Sequence, residues 1–364
     1  MRILVVNAGS SSLKLRVLGP DDEVLADGGV EGWDGDPGHG DLTAFVSGLE
    51  GLDAVGHRVV HGGQRFQDAT IVDDDVIETL EALTPLAPLH QPRALAGIEA
   101  ARRLLPGVPA VACFDTAFHA TMPPEAQTYA LPGDWRERFG LRRFGFHGLS
   151  HAWASRRAAE LLGRPLGGLR LVTAHLGAGA SLCAVAHGRS VATTMGFTPL
   201  EGLVMATRAG DVDPGIVLWL VQGGGLDASD VAEGLERRSG LLGLSGRSAD
   251  MRDVVAAVDE GDDRARLAYD VWVHRLRAAI AGMASTMDGF DALVFTAGIG
   301  EGGTRPRADA CAGLGFLGVV VDPDANAAAS GDADISAPDA RAGTLVVTSR
   351  EDRQIAAEVR RVLG

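Results

Sequence analysis

Lysine is almost missing from this chain: Lys14 is the only one, and the other 32 of its 33 basic residues are arginine. Cysteine is nearly as scarce, at three in 364 residues. Cys113, Cys183 and Cys311 sit in apolar or Ala/Gly-rich surroundings without metal spacing or pairing, which argues for reduced, buried thiols and against a disulfide framework. Long apolar runs are also absent. The longest, such as 3–6 and 216–221, fall far short of the roughly 18 residues that cross a bilayer. The start, Met1-Arg2-Ile3-Leu4-Val5-Val6, is a short β-like run without a signal-peptide cleavage pattern, so a cytoplasmic location is expected. Positive charge is in deficit, with 33 basic against 48 acidic residues. That balance disfavours generic binding to nucleic acid or a membrane surface. An anionic substrate would have to be held by specific arginines.

What is present suits a compact globule of two domains: 364 residues, 46% of them hydrophobic and 22% charged,. Residues 3–6 read as an apolar strand, Asn7-Ala8-Gly9-Ser10-Ser11-Ser12 as a tight polar turn, and 13–17 as an alternating second strand. A strand follows the turn where a Walker loop or dinucleotide fingerprint needs a helix, so neither of those motifs fits. Successive N–H groups in such a turn can still form an anion-binding concavity. The design recurs at 171–186, where Leu176-Gly177-Ala178-Gly179-Ala180 is the turn. Each hairpin is followed by another turn and a third strand. Two copies suggest duplicated domains facing each other across a cleft. Helical stretches at 77–82, 94–105, 153–162, 264–287 and 352–362 alternate with strands at 110–114, 291–296 and 344–348, which implies α/β layers. The low-complexity segments 32–40 and 322–340 read as surface loops.

Several residues could carry chemistry, and each has a second reading. Lys14, beside a Gly/Ser turn, is either a phosphate contact or a residue on a solvated strand face. Arg58 lies in the run Gly56-His57-Arg58-Val59-Val60-His61-Gly62-Gly63, where a buried guanidinium needs an anion: a bound carboxylate or phosphate, or a structural ion pair. Asp115 follows a strand, at a sheet edge where functional loops project, or else caps a helix. His57/His61 and His147/His151 have zinc-like spacing but lack the glutamate of the H-E-x-x-H pattern. Residues 195–202 and 207–214 form a loop-rich segment around Arg208. There Arg208 either serves a site or pairs with Asp211 in a tight turn.

Taken in order, the segments 7–14, 57–63, 114–118, 143–148, 175–181, 195–213, 239–253 and 296–301 resemble the signature blocks of acetate kinases. Asn-Ala-Gly-Ser-Ser-Ser-Leu-Lys and Met-Gly-Phe-Thr-Pro-Leu-Glu-Gly-Leu are its most specific strings. The resemblance runs from residue 2 to the C-terminus. It implies the superfamily of acetate and sugar kinases, heat-shock ATPases and actin: duplicated actin-like, ribonuclease H-like domains facing each other across a nucleotide cleft. Residues 1–118 plus 352–364 would form the first domain. Residues 119–351 would form the second, which carries nucleotide and dimer contacts.

The same resemblance implies the roles. Arg58 and Arg208 would clamp the carboxylate and the phosphoryl group in flight. His147 would hydrogen-bond that group, and Asp115 would hold the arginines or serve in acid–base chemistry. Asn7 and Glu351 would help position Mg²⁺, for which Mn²⁺ could substitute. Lys14, His175, Leu176, Gly177, Ala178 and Gly179 would line the phosphates of ATP. Asp250, Met251 and Arg252 with Gly298, Ile299, Gly300, Glu301 and Gly302 would take the adenosine. Val60, Leu89 and Pro199 would wall the acid's methyl group, and the enzyme would be a homodimer.

The chemistry agrees: a carboxylate is a competent nucleophile at pH 7, so direct in-line transfer mainly needs positioning and charge neutralisation. Departures from the family pattern concern mostly the donor. Ala178 and Gly302 stand where asparagine is usual, Gln91, Leu149, Ala206 and Met251 replace common residues, and the chain is shortened around 32–51. The alternatives are a propionate or butyrate kinase, a kinase using a donor such as pyrophosphate, a non-catalytic nucleotide sensor, and a zinc hydrolase.

Overall fold

The computed structural model describes residues 1–9, 12–33, 35–36, 38–88 and 90–364. Contacts divide them into two units, Met1–Ala120 with Phe146–Trp153 and Arg350–Gly364, and Thr121–Gly145 with Ala154–Ser349. The sequence reading keeps 146–153 with the second domain, whereas here the segment packs in the first unit. Its Gly148 N–H donates to Asp115 O at 2.8 Å.

The first unit carries strands β1 (Ile3–Ala8), β2 (Ser12–Leu18), β3 (Val24–Glu31), β4 (Ala54–Val59), β5 (Thr70–Ile71) and β6 (Ala110–Phe114), in the order β3-β2-β1-β4-β6-β5. β1, β2 and β3 form an antiparallel meander, β1, β4 and β6 run parallel, and β5 closes the edge antiparallel. Asn7 alone in β1 is not fully buried, because helices cover both faces, as parallel sheets require. Ile3, Val5 and Val111 pack on Ile355 and Val359 of the C-terminal helix Glu351–Leu363. On the other face Leu4, Val6 and Val55 cluster with Ala100 and Ala101 of helix Gln91–Leu104.

The second unit repeats this plan strand for strand. β7 (Arg170–Leu176), β8 (Ala180–Ala186), β9 (Arg189–Thr193), β10 (Ala292–Thr296), β11 (Ala333–Asp334) and β12 (Gly343–Val346) take the order β11-β12-β10-β7-β8-β9. Again three strands form a meander, β7, β10 and β12 are parallel, and a two-residue antiparallel strand closes the edge. Even the register shift between the second and third strands recurs, at Val17/Leu18 and at Ala184/Val185. The duplication inferred from two hairpins therefore extends through both sheets.

Two segments expected as surface loops carry more structure. Trp33 is buried, its Nε1–H donating to Asp36 O at 3.1 Å. Within 322–340, Asp322 caps the helix Pro323–Ala328 by accepting from Ala325 N–H, and β11 follows. The strand ending at Thr296 runs into a short helix, Ala297–Gly302. All three cysteines are free and buried. Burial pushes the Cys183 and Cys311 thiols up to about 12. Among the described residues, no helix is long and apolar enough to cross a membrane.

Candidate active site

Side chains from four elements of the first unit meet at the carboxyl ends of its parallel strands, where open α/β sheets place their ligands. Arg58, on β4, makes a bidentate pair with Asp115: Nε to Oδ1 at 3.2 Å and Nη2 to Oδ2 at 2.6 Å. Its Nη1 donates to Asn7 Oδ1 at 3.2 Å, and Asn7 Nδ2 donates to Glu351 Oε2 at 3.1 Å. Glu351 Oε2 also lies 3.7 Å from Arg58 Nε. Asp115 follows β6 and is 1% exposed, its N–H bonded to Val59 O at 3.0 Å. Its carboxylate therefore serves an arginine. Burial pushes the Asp115 carboxyl up, while the Arg58 guanidinium opposes that shift. Burial also weakens Arg58's hold on its proton, but the carboxylates of Asp115 and Glu351 outweigh it and raise its pKa.

His147 takes a positive φ of 57°. A non-glycine residue rarely adopts that conformation, and such strain collects at functional positions. The next residue packs directly against backbone. A Cβ on Gly148 would lie 2.2 Å from Asp115 O, so only glycine lets the chain pass this close,. Val60 is buried nearby in sequence, Lys14 is exposed on β2 opposite Asn7, and Leu89 lies outside the described residues.

The oxygens of Asn7 and Glu351 suit Mg²⁺, a hard cation that is usually held by one or two carboxylates and keeps several waters. Zinc is not favoured. His61 Nδ1 accepts the Gly63 N–H at 2.9 Å. Among the described residues, no group of three or more His, Cys, Asp or Glu side chains is placed to hold a metal.

In the second unit the β7–β8 turn is closed by Gly177 N–H to Gly179 O at 3.0 Å. It opens onto a cavity of about 810 Å³ lined by Gly177, Ala178, Asp250, Met251, Arg252, Gly298, Ile299 and Gly302. These largely apolar walls suit a purine and its ribose. Not every expected residue reaches the cavity. Leu176 is buried in the sheet, Gly179 and Gly300 do not line it, and Glu301 Oε1 accepts from Ser349 N–H at 2.9 Å. His175 sits under the turn, with its Nε2 3.6 Å from where a Gly177 Cβ would be. Asp250 caps helix Met251–Asp259 and pairs with Arg252, which lowers its pKa.

Residues not singled out from the sequence complete the cavity. Ala249 joins Val255, one helical turn beyond Met251, a spacing that could have signalled it, and Ala206, already noted as a departure from the family pattern, lines the cavity beside them,. Gly303, Thr304, Arg305 and Pro306 directly continue the glycine segment.

Arg208 stands in contrast to Arg58. Its Nη1 donates to Pro199 O at 2.9 Å and lies 3.6 Å from Met205 Sδ. Among the described residues no carboxylate pairs with it. Asp211 instead accepts the Gly202 N–H at 2.8 Å, so the turn-closing Arg208–Asp211 pair does not form. Burial lowers the Arg208 pKa, which the Glu236 carboxylate opposes.

The profile of the Acetokinase family matches residues 41–357. The acetate kinase of Dictyoglomus thermophilum is 43% identical over 397 aligned positions covering all of both chains. That length exceeds the 364 residues here, so the relative carries segments this chain lacks. The crystal structure of Porphyromonas gingivalis acetate kinase superposes over all of both chains with a TM-score of 0.92 at 39% identity. That of a propionate kinase from Francisella tularensis gives 0.91 at 34% identity, covering 99% of each. The duplicated α/β domains are thus of the actin-like, ribonuclease H-like kind, and the chain belongs to the acetokinase family.

Proposed function

We propose that this chain is an acetate kinase, transferring the γ-phosphoryl group of ATP reversibly to acetate and giving acetyl phosphate and ADP. The observation that carries the reading is Arg208, a half-buried guanidinium with no carboxylate partner among the described residues. Such a group is stabilised by an anion.

A carboxylate oxygen of acetate attacks the γ-phosphorus as the bond to the ADP oxygen breaks, and no proton need move. Arg208 and Arg58 neutralise the charge on the carboxylate and the transferring group, while Asp115 fixes the fork of Arg58. His147 donates a hydrogen bond to the transferring oxygens. Lys14, His175 and the Gly177–Gly179 turn bind phosphates, and the second-unit cavity takes the adenosine. Val60 and Pro199 wall the methyl group. Asn7 and Glu351 would hold Mg²⁺, mainly through water; when bound, it neutralises phosphate charge.

A second reading, preference for propionate or butyrate, has the Francisella relative in its favour. An apolar wall separates such acids by only about 1–3 kcal/mol per methylene. A coupled assay of acetate, propionate and butyrate against ATP, GTP and pyrophosphate tests these readings together. Fastest turnover of acetate with ATP is expected. Faster turnover on pyrophosphate would reassign the donor, and no turnover with any pair would leave a nucleotide sensor. The enzyme is further proposed to be cytoplasmic and homodimeric through its second domain.

A further inference from the structure

We propose that Tyr129, Arg143 and Glu201 are positioning residues that aim Arg208, an inference that rests on Arg208 acting in the transfer. Glu201 accepts the Tyr129 hydroxyl on Oε2 and Arg143 Nη2 on Oε1. Arg143 Nη1 also donates to Thr194 O at 2.9 Å and Met195 O at 3.0 Å. The Tyr129 oxygen in turn accepts the Phe197 N–H at 2.9 Å. Phe144 and Gly145 donate their N–H groups to Gly196 O at 3.1 and 3.2 Å. The loop is therefore tied at 194–197 and again at 201. Between the ties it forms an arch, and the Pro199 carbonyl on that arch accepts Arg208 Nη1 at 2.9 Å.

The fit leaves no slack. A Cβ on Gly196 would lie 1.7 Å from Glu201 Oε2 and 2.2 Å from the Tyr129 hydroxyl. The Arg143 guanidinium sits 5.3 Å from the centre of the Tyr129 ring. Burial, with Glu201 adding to it, raises the Tyr129 pKa, so the hydroxyl stays a donor.

The arrangement acts on Arg208 through the arch. With no carboxylate among the described residues paired to it, the guanidinium takes its direction from the Pro199 carbonyl, and that carbonyl is only as fixed as the arch.

Tyr129→Phe removes both bonds of the hydroxyl, to Glu201 and from the Phe197 N–H, while keeping the ring under Arg143. Glu201→Gln keeps the side-chain shape while weakening its bonds to Tyr129 and Arg143. Each should lower kcat/KM for acetate by about tenfold, since small misplacements of a positioning group are costly. The KM for ATP should stay within about twofold. Combined with Arg208→Ala, Tyr129→Phe should cost little beyond Arg208→Ala alone, because groups acting through one another are not additive. Acetate kcat/KM near the parent's in whichever single variants fold, with Arg208→Ala impaired, would overturn the inference and leave the acetate kinase reading intact. Equal damage to the acetate and ATP parameters would mark a general structural role and also overturn it. A normal Arg208→Ala enzyme would remove the reading beneath it as well.

Discussion

Arg58, on β4, and Arg208, in a loop-rich segment, both stand near glycines, yet their surroundings separate them. Arg58 neutralises a carboxylate that is almost inaccessible to water, with side-chain exposures of 16% and 1% in the pair. Arg58→Ala would strand Asp115 as an uncompensated buried charge, a change that costs about 3–5 kcal/mol. Arg208→Ala breaks no ion pair, so its stability should stay within about 1 kcal/mol of the parent. Both variants should lose well over tenfold in kcat/KM for acetate, as expected for a lost charge-assisted contact in a closed site. Urea denaturation alongside kinetics separates the two effects, and equal stability of the two variants would show that Arg58–Asp115 is not a buried pair.

His57 makes a different residue-scale prediction. It is fully buried with neither ring nitrogen partnered among the described residues, and burial lowers its pKa to about 3. A folded-state pKa below the unfolded value of about 6.5 means that the unfolded chain binds the proton first as pH falls. The stability His57 contributes is therefore present above pH 6.5. It is lost toward pH 3 at about 1.4 kcal/mol per pH unit. His57→Leu should flatten the fall in urea midpoint between pH 7 and pH 5; a parallel fall in both proteins would refute the assignment.

At the scale of elements, the β7–β8 turn sets the donor site. Ala178 is exposed on the turn and faces the cavity, and its carbonyl is tied to Ala206 N–H at 3.1 Å, which fixes the backbone. Ala178→Asn should add one side-chain donor without moving the chain. A neutral donor to a charged acceptor contributes about 1.5–3 kcal/mol. The KM for ATP should accordingly drop by about tenfold while the acetate KM stays unchanged. An unmoved ATP KM, with faster turnover on pyrophosphate in the parent, would show that the turn serves another donor.

For the whole molecule, the helix Pro214–Gln222 has no buried residue, and Ile216, Leu218 and Trp219 are 51%, 57% and 66% exposed. An apolar helix left in water favours association. This supports the proposed homodimer through the second domain. Trp219→Arg with Ile216→Asp should convert a dimer to a monomer in analytical ultracentrifugation at micromolar concentration. A parent that sediments as a monomer would remove the dimer proposal.

Much of this molecule is written locally. The two hairpins were legible because an apolar run, a small-residue turn and a returning strand each fit within a dozen residues. Their duplication led correctly to two copies of one sheet. The longer helices, such as Gln91–Leu104, Asp263–Ser285 and Glu351–Leu363, were legible for the same reason, since capping and periodicity act over a few turns, whereas Pro214–Gln222, Ala228–Arg237 and Thr304–Cys311 were not read. Other features depend on distance along the chain. β5 and β11 are two residues long and show no period; only the strand beside each defines it. Trp33 reads as part of a polar loop until the core closes over it. Asn7 meets Glu351 across 344 positions, and Arg58 meets Asp115 across 57. With 33 basic and 48 acidic residues to match, sequence can name the arginines that need an anion. Which of them already has one is decided by packing, because pairing energy depends on burial and geometry that no local window contains.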